Sequence, residues 1–422
     1  MILDKIDKIV NEYKEEIIEN LRQLIKIPTE NPPGLNYNEF VTYASKWLSS
    51  LGYSTEVIKV PNSELPKLAK LGYGDRPNLI ATTGKGKLSI AFNGHYDVVP
   101  AGKGWSVNPY DAVVINDRIY GRGASDMKSG IVAQIYSVEV LKKIINVDQA
   151  FKIRHFLVPD EETVGNENAG TYFVIREGYL SKSNTDYVIF TEPSGVENIC
   201  NGHRGSLWGF IKILGKKAHG GSPQLGIDAI RKSIEILTQL YSLQDKLSSK
   251  RTKYNIIPSD VKSPSLIVGQ IKCGDWVNMV ADECTFGFVR RLIPEEKLEN
   301  ARKEIINILE SKKTRDPEFK YEYEEYYAVD TIVEDTKNPL YESLSEAITS
   351  VLNVKPKIGL LAATFDMRFT HYEGIPAVNY GPGKIELAHA TDEYVNIADL
   401  LNSIKVLSLT LYLLGKKYGM LN

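Results

Sequence analysis

Short apolar runs that end in histidine or acidic residues dominate the first half of the chain. Three of them are KLSIAFNGHYD, FKIRHFLVPDEE and DYVIFTEPS. Apolar runs of this length, bounded by polar or turn-forming residues, are typical of buried strands. Helical patterns are also present, around Glu39–Leu51 and at Met127–Ile144. Strands that alternate with helices need crossover connections, so the sequence predicts an α/β fold with a mostly parallel sheet flanked by helices.

The pattern changes in the middle of the chain. SLWGFIKILGK alternates as a strand with two different faces would, and PSLIVGQIKCG and MVADECTFGFVRRL predict further strands. Helices are predicted near Ile227–Leu247 and Pro294–Ser311, and the first pattern then returns. This order indicates an α+β two-layer domain inserted into an α/β domain. We therefore expect a discontinuous domain at residues 1–200 and 318–422, with the inserted domain at 201–317.

Composition restricts the partners and the compartment. Lys and Arg number 51 against 53 Asp and Glu, so no global field attracts nucleic acid or an anionic membrane. Three widely spaced cysteines without a CxxC pair, Cys200, Cys273 and Cys284, favour neither a disulfide framework nor a thiolate zinc site. The charged N-terminal segment predicts an amphipathic helix rather than a signal peptide. These features predict a cytoplasmic protein in a reducing compartment, with no nucleic-acid or membrane partner.

The predicted strands bring metal-ligand residue types to one edge of the sheet, where open parallel sheets bind their ligands. Any one such residue is weak evidence, because acids at strand ends are common in solvent-facing loops. Their convergence at one edge is much harder to explain by chance. The residues are His95, Asp97, Asp160, Glu161, Glu162, Glu192 and His389, with Asp126 just before a predicted helix.

These residue types also indicate which metal chemistry is plausible. Imidazoles mixed with carboxylates, without thiolates, suit Zn²⁺ or a similar transition ion better than Ca²⁺ or Mg²⁺. The set is too large for one tetrahedral ion, whereas two ions about 3.5–4 Å apart that share one acid would use it fully. Such a pair lowers the pKa of a shared water and polarises a carbonyl, as amide hydrolysis requires. A spare carboxylate would then be the general base.

Six motifs occur in the order and spacing of a known family. They are NGHYDVVP, GRGASDMKSG, PDEE, TEPS, GKKAHGGSP and AHATDE. The chain resembles the dinuclear zinc hydrolases that include acetylornithine deacetylase, succinyl-diaminopimelate desuccinylase, aminoacylase and glutamate carboxypeptidase. The resemblance extends from IPTENPP to AHATDEYV, nearly the whole chain. It implies a metal-binding catalytic domain, an inserted lid domain that pairs two chains, and two divalent ions per chain, zinc first and cobalt as the alternative.

The resemblance also implies a role for each ligand. His95 and Glu192 would hold one metal ion, and His389 and Glu162 would hold the second. Asp126 would bridge both ions.

Further residues are implied to act on the substrate or on the ligands. Glu161 would be the general base, and Asp97 would hydrogen-bond the ligand imidazole and fix its tautomer. His219 would cross to a neighbouring subunit's active site and polarise the scissile carbonyl there. Asn278 and Arg291 would grip a free carboxylate, for which the planar fork of arginine is suited.

The expected activity is metal-dependent hydrolysis of a linear amide next to a free carboxylate, with an N-acyl amino acid or short peptide as substrate. The first hypothesis is deacylation of an N-acyl amino acid, and a carboxypeptidase or dipeptidase that uses the same site is the alternative. A catalytically silent binding homologue is a further alternative, against which the complete ligand set argues. A nucleotide-binding protein is disfavoured, because no glycine-rich loop has the phosphate-binding pattern.

Overall fold

The computed structural model describes residues 2–65, 74–163, 169–258 and 261–421. The chain divides into two compact units. The first comprises Met1–Gly202, Glu334–Gly359 and Phe365–Asn422, and the second comprises His203–Val333 and Leu360–Thr364.

The described residues form helices and strands in the following chain order. The helices are α1 (Ile2–Glu12), α2 (Lys14–Ile25), α3 (Tyr37–Ser50), α4 (Lys128–Lys142), α5 (Val147–Ala150), α6 (Thr171–Arg176), α7 (Ala229–Ser248), α8 (Leu298–Arg315), α9 (Pro339–Leu352), α10 (Met367–Tyr372) and α11 (Ile397–Lys417). The strands are β1 (Ser54–Lys59), β2 (Pro77–Thr83), β3 (Leu88–His95), β4 (Val113–Ile115), β5 (Arg118–Tyr120), β6 (Phe151–Val158), β7 (Tyr187–Phe190), β8 (Asn198–His203), β9 (Ser206–Leu214), β10 (Ile256–Ile257), β11 (Ser265–Cys273), β12 (Glu283–Arg291), β13 (Lys320–Val329), β14 (Ile332–Val333), β15 (Lys357–Leu361), β16 (Ala377–Asn379) and β17 (Tyr394–Asn396).

A large sheet forms the centre of the first unit. Its strands lie in the order β1-β2-β6-β3-β7-β16-β8-β15. The neighbours β6, β3, β7 and β16 are parallel, while β1, β2 and β8 pair antiparallel towards the edges. Every residue of β3 is buried, as expected of a central strand covered on both faces. The predicted α/β fold with a mostly parallel sheet is confirmed.

Apolar helices cover this sheet. α11 packs against α4 and α9, and its contacts include Leu400, Ile404 and Leu411, each of which is fully buried. Among the described residues, α11 is the helix long and apolar enough to cross a bilayer, but 67% of its most apolar window is buried inside the fold. Packing therefore accounts for its apolar composition. The predicted N-terminal amphipathic helix forms as α1 and α2, on either side of Tyr13, whose ring packs on Tyr136.

The second unit is a two-layer α+β sandwich. An antiparallel sheet in the order β11-β12-β9-β13 packs one face against α7 and α8. The buried side chains alternate with exposed ones along β9, since Leu207, Ile211 and Ile213 enter the core while Phe210 faces solvent. The inserted α+β architecture is thus present.

The second unit is longer than the sequence predicted. It begins at His203, close to the expected residue 201, but it extends to Val333 rather than to residue 317. It also includes the later segment Leu360–Thr364. The expected bound is wrong because β13 pairs with β9 along its whole length and so completes this sheet.

A disulfide joins Cys273 and Cys284 in the second unit. The two residues are direct partners in the antiparallel pairing of β11 with β12, which brings their Cα atoms to 4.0 Å. The cysteine spacing had not favoured a disulfide, and this pair differs from that expectation because the strand register places the two cysteines opposite each other. Cys200 is the free cysteine and is buried.

Candidate metal centre

Three parallel strands of the first unit end at the candidate site. β3 ends at His95, Glu161 and Glu162 follow the end of β6, and Glu192 follows the end of β7. Because β6, β3 and β7 are parallel neighbours, their carboxyl ends lie at the same sheet edge. The sequence prediction that these side chains converge is consistent with this topology.

Asp126 is held at the same edge by Glu393, which sequence reasoning had not singled out. The buried Glu393 carboxylate accepts hydrogen bonds from the backbone N–H groups of Gly123, Ser125 and Asp126, at 3.2, 2.8 and 2.9 Å. The Arg122 guanidinium donates to it at 2.6 Å. This clamp fixes the loop that presents Asp126. Glu393 lies in the AHATDE motif and Arg122 in GRGASDMKSG, so both motifs contained the signal.

A close backbone approach brings the start of α4 against the end of β7. A Cβ added at Gly130 would lie 2.0 Å from the carbonyl oxygen of Thr191, so only glycine fits there. Thr191 precedes Glu192, and Gly130 lies four residues after Asp126. The approach therefore sets the spacing between the loops that carry these two carboxylates.

The ligand side chains form two sets that share Asp126. Oδ1 of Asp126 lies 3.2 Å from His95 Nε2, which is 3.5 Å from a Glu192 oxygen. Oδ2 of Asp126 lies 3.6 Å from His389 Nε2, which is 2.7 Å from a Glu162 oxygen. Each carboxylate oxygen of Asp126 thus faces a different histidine. Ligand atoms of His95, Asp126 and Glu162 also lie within 4.8 Å of one another, close enough to hold a metal ion.

The electrostatics of the site fit cation binding. Burial raises the pKa of Glu192 to about 7, and burial together with Asp126 raises the pKa of Glu162. Burial lowers the pKa of His95, but Glu192 and the other carboxylates outweigh it, so the pKa is raised well above its usual range. Oε1 of Glu162 is buried with no hydrogen-bond partner among the described residues. Crowded, partly unsatisfied carboxylates of this kind are stabilised by divalent cations.

Asp97 connects the two ligand sets through backbone and side chain. His95 Nδ1 lies 2.9 Å from the carbonyl oxygen of Asp97 and 3.4 Å from its carboxylate, so the carbonyl is the closer partner of the imidazole. The Asp97 carboxylate accepts the backbone N–H groups of Glu161 at 3.2 Å and Glu162 at 3.1 Å. Asp97 therefore positions the Glu161–Glu162 loop as well as the histidine.

A buried network beneath this loop was missed at the sequence level. The Asp160 carboxylate accepts hydrogen bonds from Arg76 Nε at 2.7 Å and from the Tyr37 hydroxyl at 2.8 Å. Asn31 Nδ2 donates to Asp160 at 3.1 Å and to Asp97 at 2.9 Å. Asp160 has a φ of 64°, an uncommon conformation for a residue with a side chain. The network holds this turn, which directs the next two residues towards the site.

The three candidate residues of the second unit do not form one group. Two of them lie on adjacent loops, since His219 pairs with Met279 and the N–H of Gly220 donates to the carbonyl of Asn278 at 2.8 Å. Arg291 lies at the other end of β12, roughly 26 Å from its first residue at 3.3 Å per residue. Within one chain, Asn278 and Arg291 are therefore separated by about the length of β12, and the expectation that they grip a free carboxylate stays a prediction.

A family profile matches most of the chain, across both units. The profile described as peptidase family M20/M25/M40 matches residues 91–412, more than half of the chain. The chain belongs to this family. It is accordingly a metal-dependent hydrolase of linear amide bonds, and the M20/M25/M40 assignment agrees with the resemblance seen in the six motifs.

Proteins similar to the chain include two deacylases and a dipeptidase. The chain is 31% identical to succinyl-diaminopimelate desuccinylase of Psychromonas ingrahamii, with 82% of this chain and 91% of that protein covered. It is 28% identical to acetylornithine deacetylase of Aliivibrio fischeri, with 89% and 91% covered. Human carnosine dipeptidase 1 shares the fold, with a TM-score of 0.76, 17% identity and 99% of each chain covered.

Proposed function

We propose that the protein removes the acyl group from N-acyl amino acids, with two zinc ions held by His95, Glu192, His389, Glu162 and the bridging Asp126. The observation that carries the proposal is the placement of the two Asp126 oxygens against different histidines. When bound, such ions supply Lewis acidity that lowers the pKa of water and polarises the amide carbonyl. Cobalt is the alternative metal.

Glu161 is proposed as the general base. It takes a proton from the attacking water and returns it to the amine that leaves. Burial is the largest cause that raises the pKa of the Glu161 carboxyl well above its usual range, and the negative charge of Glu192 is the second largest. A raised pKa suits a carboxylate that must hold a proton for part of the reaction.

Deacylation is favoured over peptide hydrolysis because the relatives with the higher sequence identity, 31% and 28%, are deacylases. Both the desuccinylase and the deacetylase remove an acyl group, as their names state. The alternative is a dipeptidase or carboxypeptidase that uses the same ligands, which the shared fold with carnosine dipeptidase 1 supports.

A homodimer formed through the second unit is part of the proposal. β11 is an edge strand, and it exposes Ile267 and Ile271. α7, which packs on β11, exposes Ile230, Ile234 and Tyr241. An exposed edge strand beside an apolar helix face is a ready-made surface for pairing with a second copy.

The dimer would also explain the separation of the second-unit residues. His219 and Asn278 lie together, whereas Arg291 lies at the far end of the strand. We infer that His219 and Asn278 act in the partner's site, where His219 donates to the developing oxyanion, and that Arg291 binds the substrate carboxylate. A cytoplasmic location is proposed from the bacterial relatives.

Metal analysis coupled to a substrate screen tests the function. The purified chain should contain two transition ions, and it should hydrolyse N-acyl amino acids faster than dipeptides, with activity lost to a chelator and restored by Zn²⁺ or Co²⁺. Faster cleavage of dipeptides would establish the alternative. A single ion per chain that His389→Ala leaves in place would overturn the dinuclear assignment.

A further inference from the structure

The open face of the second unit's sheet contains a groove of about 320 Å³. This volume lies at the lower end of the range of small-molecule pockets, roughly 300–1,000 Å³. Trp208 and Phe210 of β9, Val289 of β12 and Tyr326 of β13 form its walls. Phe210 is 37% exposed and Tyr326 is 55% exposed, so the described residues leave these aromatic rings without a covering layer.

Glycines form the floor of the groove. Gly287 of β12 lies opposite Phe210, and a Cβ added there would be 3.0 Å from the Phe210 ring. Gly269 lies at a register shift in β11, and a Cβ there would meet nothing within 4 Å. The groove thus exists because side chains are absent along the centre of the sheet face.

Arg291 lies on β12 just beyond the Val289 end of the groove. It follows Val289 by two residues and therefore lies on the same face of β12, while Val289 is the direct partner of Trp208. The Arg291 guanidinium lies 5.6 Å from the Trp208 ring centroid. Its Nη1 is buried and has no hydrogen-bond partner among the described residues. An anionic group bound at Arg291 would therefore sit directly beside the aromatic walls.

We propose that this groove receives an aromatic or large apolar side chain of the amino acid whose carboxylate binds Arg291. The inference rests on the proposed function and adds the substrate class to it. The carboxylate and the side chain of an amino acid are attached to the same carbon. A carboxylate bound at Arg291 therefore places the side chain next to Trp208. Phe210 lies two strand residues further, roughly 7 Å, which an aromatic side chain spans.

The composition of the groove disfavours charged side chains. Its described walls and floor present aromatic, aliphatic and glycine surface, with Gln270 as a polar group. A cationic side chain such as that of ornithine would lose hydration there, and the nearest acidic group on this face, Glu324, is exposed to solvent beside Phe210 and therefore screened. The enzyme should therefore prefer N-acyl aromatic amino acids to N-acylornithine.

Kinetics on matched substrates test the proposal. With the metal-loaded full chain, kcat/KM for N-acetyl-L-phenylalanine should exceed that for N-acetyl-L-alanine and for N-acetyl-L-ornithine by roughly 10–200-fold, the range seen when apolar pockets discriminate. Gly287→Val, which fills the floor, and Phe210→Ala, which removes a wall, should each lower the phenylalanine-to-alanine ratio roughly tenfold. Lys212→Ala, on the same face of β9 but outside the groove, should keep the ratio.

Other kinetic results would contradict either the assignment of the groove or the proposed deacylase function. Hydrolysis of N-acetylalanine at the same rate as N-acetylphenylalanine, or ratios unmoved by both groove variants, would overturn the groove and leave the deacylase intact. No hydrolysis of any N-acyl amino acid would overturn the proposed function and the groove with it. Variants that alter preference for the acyl chain, or that change the oligomeric mass instead, would assign the groove to the acyl group or to a second copy.

Discussion

Asp126 occupies the central position of the proposed metal centre because each of its carboxylate oxygens faces a different histidine. Its position depends on Glu393, which accepts three backbone N–H groups and the Arg122 guanidinium. A carboxylate satisfied by this many donors is rigid, and the loop it holds is rigid as a consequence. Substitution of Glu393 should thus affect metal binding although Glu393 is not itself in either ligand set.

Glu161 and Glu162 are adjacent, but their neutral variants should differ in kind. Glu161→Gln should retain both metal ions and lose roughly 10²–10⁴-fold in kcat, because only the proton acceptor is removed. Glu162→Gln should first weaken the metal at the His389 side, whose imidazole lies 2.7 Å from Glu162. Metal content by mass spectrometry beside steady-state kinetics measures both effects. A fully active Glu161→Gln variant with its metals bound would show that the roles are misassigned.

Metal binding at the His389 side should strengthen as the pH rises. The hydrogen bond to Glu162 raises the pKa of His389 to about 9, so the metal-free pair is protonated at neutral pH. The raised pKa stabilises the metal-free fold below about pH 6.5, and this contribution is lost as the pH rises through about 9. A metal ion must displace that proton. Competition with a chelator should show affinity rising up to about pH 9.

His389→Asn is the control for that titration, because it removes the titrating group. It should flatten the pH dependence of the weaker site and leave that of the other site as it is. The His95 side chain is 1% exposed and that of His389 is 54% exposed, so the weaker, faster-exchanging ion should be the one at His389. An affinity independent of pH in the unmodified chain would contradict the assignment.

Residue order along the chain was enough to predict the candidate ligands, but not the groups that hold them. His95, Glu161, Glu162 and Glu192 could be predicted because each follows an apolar strand, and the ends of parallel strands meet. The partnership of Arg76 with Asp160 joins positions 84 apart in sequence. No local period encodes such a pairing, since it depends on how the folded loops pack.

At the scale of elements, local signals explain which predictions succeeded. α9 begins at a local sequence signal, because Asn338 accepts hydrogen bonds from the first N–H groups and Pro339 begins the helix. β13 was not predicted as part of the inserted unit, because KYEYEEYYAV is rich in glutamate and tyrosine and its place is fixed by pairing with β9. The register of β11 with β12, which sets the disulfide, is likewise a tertiary property.

The disulfide should stabilise the loop that carries Asn278. Cys273 and Cys284 are separated by 11 positions and close this loop between β11 and β12. Closing a loop of this length stabilises the folded state by about 3 kcal/mol, because the disulfide lowers the conformational entropy of the unfolded chain. Reduction should therefore lower the unfolding temperature of the second unit, as followed by differential scanning calorimetry.

Cys273→Ser separates this effect from other actions of a reductant. The variant should unfold at the temperature of the reduced wild type, and reductant should not shift it further. Thiol titration of the denatured, unreduced protein should find one reactive thiol, that of Cys200. Three reactive thiols would contradict the disulfide.

At the scale of the whole molecule, two inactive variants should restore each other if the site is composite. His219→Ala alone should keep its metal and lose about 3–4 kcal/mol of transition-state stabilisation, as for other single oxyanion donors. Subunit exchange with Glu161→Gln should restore about one quarter of wild-type activity, because half of the dimers are mixed and each contains one intact site. An active monomer, or no recovery after verified exchange, would refute the composite site.

The insertion of the second unit into the first also determines an order of assembly during synthesis. The strands that carry His95, Glu161 and Glu192 leave the ribosome before the second unit, whereas His389 and Glu393 follow it. Domains fold as units while the chain emerges, at about 5–20 residues per second. The largely continuous second unit can therefore pack its core while the first sheet still lacks β16. The candidate set around His389 and the Glu393 clamp on Asp126 are completed only by the last tenth of the polypeptide, so capture of the second proposed ion should be one of the final events of biosynthesis.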